Sequence, residues 1–121
     1  MHKVFTTYAS SRFIDQAAVV EALRQQARQL KIQQAKVTAV HLFGSFATGT
    51  ATPRSDADVV VEIPSGDVAL REQIRDAALD IFLGAPVPVD LFVMSSAELA
   101  AERSTLRGIA GRVAQEGVRL G

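Results

Sequence analysis

Asp56 and Asp58 are separated only by Ala57 and head an apolar run that ends at Ile63. Side chains at i and i+2 of a strand project from one face. The two carboxylates therefore share a face, with Val59, Val61 and Ile63 on the other, packed toward helices; the carboxylate face is expected to be open. Two ionised carboxylates at this spacing repel, and without a partner one is pushed toward protonation. A divalent cation removes the conflict. Hard oxygen ligands favour Mg2+ (or Mn2+), and magnesium usually takes one or two carboxylates plus substrate phosphates. Asp90 repeats the pattern, because Val89, Leu91 and Val93 alternate with Asp90, Phe92 and Met94. A carboxylate embedded in an apolar strand is unfavourable unless paired or bound to metal. If the two strands are neighbours, Asp56, Asp58 and Asp90 form one catalytic and metal-binding set. Three carboxylates can hold two ions roughly 3.5–4 Å apart, the arrangement used for in-line displacement at phosphorus.

Upstream, Gly44 and Ser45 close a short apolar run, and ten residues separate Ser45 from Asp56. Glycine lets a backbone approach a ligand closely. If the chain then turns into a short helix through Phe46 and Ala47, its first N–H groups would point at a phosphate, with the Ser45 hydroxyl as a further donor. No Gly-Lys-Ser/Thr ending follows, so this is not a P-loop. Arg54 is either a solvated loop residue or a triphosphate contact. Glu62 is the main rival as third ligand, but at ~3.3 Å per residue it lies roughly 13 Å along the strand from Asp58, which is too far. His41 reads as a half-buried structural histidine, and Ser104 and Thr105 as helix caps.

These residues need elements to position them. Val19, Leu23, Ala27 and Leu30 recur at helical spacing behind Asp15, a plausible N-cap, and predict a helix from there to about Lys31, with Gln25, Gln26, Arg28 and Gln29 facing water. Val37 to Phe43 reads as a strand, 44–55 as a loop, and Ala57 to Ile63 as a second strand stopped by Pro64, Ser65 and Gly66. Asp67 can cap a helix carrying Leu70, Ile74, Ala77, Ala78 and Ile81, which Gly84 ends. A third strand follows over about Val87 to Met94. Ser95 with Glu98 is a capping-box pattern for a short helix. A last helix starts at Ser104 or Thr105, presents Leu106, Ile109, Ala110 and Val113 on one face, and closes at Gly117. The expected fold class is α+β, a domain of helices and sheet. Residues 15–121 are expected to form a single domain behind an N-terminal arm at 1–14.

Composition narrows the function. The chain has 121 residues, of which 48% are hydrophobic, enough for one core without staples. It has no cysteine, which excludes disulfides, thiolate metal sites and cysteine nucleophiles. Thirteen basic and thirteen acidic residues balance to a formal charge of zero. Long polyanions usually demand a basic excess, so no long nucleic acid is expected, whereas a nucleotide carrying its own metal needs none. No signal peptide is read in Met1 to Phe13, and no apolar run approaches the ~20 residues of a membrane span. A soluble cytoplasmic protein is the expectation.

Taken together, Phe43-Gly44-Ser45-Phe46-Ala47-Thr48-Gly49, then Ser55-Asp56-Ala57-Asp58-Val59-Val60-Val61, then Val89-Asp90-Leu91 resemble the minimal nucleotidyltransferases (MNT proteins) of the polymerase-beta-like superfamily. Ala114-Gln115-Glu116-Gly117-Val118 is similar to the family's usual ending. The resemblance covers about residue 15 onward. It implies a small mixed sheet flanked by helices, the polymerase-beta-like fold, and a nucleotidyltransferase using ATP or another nucleotide triphosphate with Mg2+, Gly44 and Ser45 on phosphate, and Asp56, Asp58 and Asp90 on metal. Many stand-alone members are antitoxins paired with a HEPN-type ribonuclease toxin; they transfer AMP to a toxin hydroxyl (AMPylation) or mask the toxin by binding. The family often has a basic residue in the segment after Gly-Ser. Here that segment is Phe46-Ala47-Thr48, and Arg54 is the residue that could supply the charge. Larger relatives carry a second domain that grips the acceptor, so a partner protein bringing the hydroxyl is the natural completion. Two alternatives stand beside this one: a non-catalytic antitoxin acting by occlusion, and a transferase acting on a small molecule or an RNA 3′ end.

Overall fold

The computed structural model describes residues 15–103 and 108–121. The expected arm at 1–14 and the expected helix start at Ser104 or Thr105, with Leu106, lie outside them. Helix α1 (Gln16–Gln33) begins as its sequence suggests: Asp15 is the N-cap, and its carboxylate accepts from the Ala18 N–H at 3.1 Å. Its stripe of Val19, Leu23, Ala27 and Leu30 is fully buried. Gln26 departs from expectation. It is half-buried, and its Nε2 donates to the Ile81 carbonyl at 3.1 Å, tying α1 to the next long helix.

Strand β1 (Ala39–Phe43) leads into a single helical turn, α2 (Ser45–Thr48), and the chain returns as β2 (Ala57–Ile63). Helix α3 (Val68–Phe82) is capped by Asp67, whose side chain accepts from the Leu70 N–H at 2.9 Å. Strand β3 (Val89–Ser95) follows, then α4 (Ser96–Arg103), α5 (Gly108–Glu116) and a two-residue strand, β4 (Val118–Arg119). The capping box at the start of α4 is reciprocal: Ser95 N–H donates to Glu98 Oε1 at 2.7 Å and Glu98 N–H donates to Ser95 Oγ at 3.1 Å.

The sheet order is β3-β2-β1-β4. β1 runs antiparallel to both β2 and β4, and β2 runs parallel to β3. A parallel pair needs a crossover, which α3 provides. The sheet is therefore mixed, as expected. β4 was not expected, because Gly117 reads as a helix stop and two residues carry no alternation to detect. It is nonetheless held firmly, with Leu120 N–H on the Val40 carbonyl at 2.8 Å and Val40 N–H on the Gly121 carbonyl at 2.9 Å.

Alternation divides the sheet into two packed faces. Leu42, Val59, Val61, Ile63 and Val93 meet the apolar stripes of α1 and α3 in the main core. Phe43 and Val60 face the other way and are buried with Leu99, Ala110 and Val113 of α4 and α5. The carboxylate face was expected to be open. It is instead closed by two C-terminal helices over most of its area, because Val60 between Asp58 and Glu62 is apolar and fully buried. At its end Asp58 is half-buried and Asp56 and Asp90 are exposed.

Candidate active site

The register decides which residues meet. Phe43 and Asp58 are Cα partners across β1 and β2, and Asp58 and Asp90 are Cα partners across β2 and β3. Paired residues in neighbouring strands present side chains on the same face about 4.8 Å apart. Phe43, Asp58 and Asp90 thus form one row across the sheet, and Asp56 lies one residue before β2, near enough to act on the Asp58 carboxyl. The start of β2 is fixed against the lead-in to β3 by the Ala57 N–H on the Pro88 carbonyl at 2.9 Å. The arrangement expected of the strands carrying Asp58 and Asp90 is therefore present.

Exposure differs within the set. Asp58 is half-buried, while Asp56 and Asp90 are exposed. Asp90 was expected to sit at a cost inside an apolar strand. Because β3 is at the sheet edge, its carboxylate reaches solvent and escapes most of that cost. Burial raises the Asp58 carboxyl above its ordinary value; Arg112 opposes this, and Asp90, Asp56 and Glu116 add to the rise. The half-buried carboxylate is thus the one the cluster places under strain.

Among the described residues, no three His, Cys, Asp or Glu side chains are gathered as a ready cage for a metal ion. Asp56, Asp58 and Asp90 share an end of the sheet without forming a preassembled three-ligand site. Magnesium does not require one, since one or two carboxylates suffice when phosphates complete the shell. The all-oxygen donors of Asp58 and Asp90, side by side at one register, suit a cation that arrives with a polyphosphate.

Gly44 brings the backbone against this row. Its φ is +77° and its ψ −156°, a region open essentially to glycine. A Cβ there would overlap Asp58 Oδ2 and come within 3.5 Å of Arg112 Nη2. Ser45 opens α2, as expected. Thr48, at the position where a basic residue was looked for, is tied into the turn: its hydroxyl donates to the Gly44 carbonyl at 3.3 Å and lies 2.9 Å from Thr50 Oγ1. Arg54 is exposed in a turn held by Thr52 N–H on Ser55 Oγ at 2.8 Å.

Two residues not singled out for the site belong to it. Glu116 Oε1 accepts from the Gly44 N–H at 2.9 Å and from Arg112 Nη2 at 3.3 Å. The Arg112 guanidinium lies over the Phe43 ring, 5.0 Å from its centroid. Nothing in the sequence beyond a spacing of four on a helix marks the pair, and only packing of α5 on the sheet takes it to Gly44. Two sequence-based exclusions stand. His41 Nε2 is 2.9 Å from Glu62 Oε1, and Ser96 Oγ donates to Glu62 Oε2 at 2.6 Å, so both His41 and Glu62 are engaged away from the aspartates. A recess of about 550 Å³ near α3 and β3, lined by Leu79, Phe82, Leu83, Val87 and Leu91 among others, holds no ionisable group and is not this site.

Comparison with known proteins agrees with this architecture. A Sulfolobus solfataricus protein proposed to be a nucleotidyltransferase superposes with a TM-score of 0.59 at 18% identity, covering 86% of this chain and 80% of that one. A toxin-antitoxin solved with AMP-PNP gives 0.52 at 21% identity, covering 81% and 72%. A mutant of the toxin-antitoxin MntA-HpeT gives 0.51 at 20% identity with the same coverage, 81% and 72%. At these identities the likeness is one of fold. No curated protein sequence matches the chain. The family model for the nucleotidyltransferase domain matches residues 21–110, most of the chain and all three aspartates, and the chain accordingly belongs to the nucleotidyltransferase domain family.

Proposed function

We propose that residues 15–121 act as a metal-dependent nucleotidyltransferase domain that transfers a nucleotide, AMP from ATP, to a hydroxyl on a partner protein. The observation that carries this reading is the close approach of Gly44 to Asp58, in the row that also holds Asp90. A glycine turn that would give backbone contact to phosphate and a pair of carboxylates that would take the accompanying cation lie at one end of one sheet. Asp56, Asp58 and Asp90 would hold Mg2+, or Mn2+, which supplies Lewis-acid stabilisation of charge on the phosphates when bound. Gly44 and Ser45 would orient the triphosphate, with Arg54 as a candidate contact from the adjoining turn. The acceptor oxygen forms a bond to the α-phosphorus as the bond to pyrophosphate breaks, and exposed Asp90 is best placed to take the hydroxyl proton.

The partner we infer is a HEPN-type toxin, for which this chain would be the antitoxin. Support comes from the sequence resemblance to MNT proteins and from the shared fold with two toxin-antitoxin structures, one of them solved with a nucleotide analogue. Incubation with ATP labelled at the α-phosphate, Mg2+ and the candidate toxin should label the toxin. Absence of transfer, with Asp58→Ala behaving as wild type, would sink the catalytic reading.

A second reading rests on residues 46–48, Phe-Ala-Thr, which bring no basic side chain to the phosphate turn: the chain neutralises its toxin by occlusion alone. Neutralisation that survives Asp56→Ala together with Asp58→Ala would select that reading.

A further inference from the structure

Residues 46–48, after Gly44-Ser45, carry no basic side chain, yet a cation stands at the same cradle from a distant part of the sequence. Arg112 and Glu116 lie one turn apart on α5. Glu116 Oε1 bridges the Gly44 N–H and Arg112 Nη2. The guanidinium also rests on the face of Phe43, the residue before Gly44 and the Cα partner of Asp58. Carboxylate and aromatic face hold it from two sides, so little side-chain freedom is left to lose on binding a ligand. The Arg112 side chain is nevertheless 55% exposed. A guanidinium has five N–H donors in a planar fork, and Glu116 accepts from one of its terminal nitrogens. With the side chain this exposed, donors beyond that bond are left for a ligand.

Electrostatics gives this cation a task. Asp56, Asp58, Asp90 and Glu116 all act on the same site, and Arg112 is the cation that opposes them at Asp58. A polyphosphate approaching four carboxylates needs positive charge from the protein as well as from its metal. Arginine is suited to this because its fork matches phosphate oxygens bidentately, and stacking on a ring keeps the fork in plane.

We propose that Arg112 is a triphosphate-binding residue, taking β- or γ-phosphate oxygens on its free N–H groups while Phe43 and Glu116 hold it beside Gly44. This rests on the reading that the Gly44-Ser45 turn holds nucleotide phosphate. It replaces a charge missing from 46–48 with one delivered by the C-terminal helix.

The test is titration calorimetry of the intact chain with Mg2+ and either AMP or the non-hydrolysable analogue AMP-PNP. Losing charge-assisted bonds should weaken AMP-PNP binding by Arg112→Gln about tenfold or more. AMP, which lacks the β- and γ-phosphates, should bind wild type and variant alike. Arg112→Lys, which keeps charge and loses the fork, should fall between. Arg28→Gln, on the exposed side of α1, should behave as wild type. Equal affinity of Arg112→Gln and wild type for AMP-PNP would overturn the inference alone, as would an equal loss for AMP and AMP-PNP. If the wild type binds neither nucleotide, the reading of the phosphate turn fails, and the inference falls with it.

Discussion

At Gly44 the positive φ and the carboxylate of Asp58 both exclude a side chain, and each exclusion has its own consequence. The backbone conformation alone costs a non-glycine residue about 1–3 kcal/mol. The overlap with Asp58 adds a displacement of the carboxylate itself. Gly44→Ala is therefore expected to lower the melting temperature modestly and to weaken Mg-nucleotide binding disproportionately, which thermal melts and calorimetry on one sample will show. Asp58 makes the opposite trade. Its carboxyl is raised chiefly by burial, so the ionised form is disfavoured in the folded chain and its penalty grows as pH rises through that carboxyl's titration. Removing the charge relieves that strain, which the proposed role in metal binding would account for. Asp58→Asn should raise the metal-free melting temperature at neutral pH by a few degrees, and reduce nucleotide transfer on the order of 100-fold. Failure of the melt to rise would show that Arg112 already neutralises the cluster.

Elements place these residues, and their own supports are local. The Ser95–Glu98 box caps α4, and Glu98 also takes Arg71 Nη2 at 2.9 Å, so α4 is tied to α3. The Ser95 backbone N–H first, and Arg71 second, hold the Glu98 carboxyl below its ordinary value of 4.5. A depressed acid stabilises the fold above the unfolded value and loses that contribution as pH falls through the folded one. Glu98→Gln should therefore melt earlier than wild type at pH 7, and the difference should narrow as pH falls below the carboxyl's ordinary value of 4.5. Leu23 tests the other layer. It is fully buried in the α1 stripe beneath the sheet, and truncating such a leucine costs about 2–5 kcal/mol. Denaturant unfolding of Leu23→Ala should show that loss with little change in the slope, since the unfolded chain is unaltered.

The whole molecule closes its site with its last elements. β4 pairs with β1 and anchors the end of α5, which sets Arg112 and Glu116 over the strand ends. Deleting residues 118–121 should lower the melting temperature, and it should weaken Mg-nucleotide binding even at temperatures where the shortened chain stays folded. Unchanged binding by the shortened chain would mean that α5 is held by Leu99, Phe43 and Val60 alone. Much of this molecule was legible in its residues. The helical stripes, the caps at Asp15 and Asp67 and the Ser95–Glu98 box all follow from interactions spanning a few positions, where spacing in sequence is spacing in space. The resemblance carried the three aspartates to a family, and the family match agrees. What the residues could not decide are the contacts between distant parts of the chain. The pairing of Asp58 with Asp90, the closing of the carboxylate face over Val60, the exposure of Asp90 at a sheet edge and the reach of Arg112 to Gly44 depend on strand order and on a two-residue strand too short to show periodicity. Local pattern determines which face a side chain takes; only the packed sheet and its covering helices determine what that face meets.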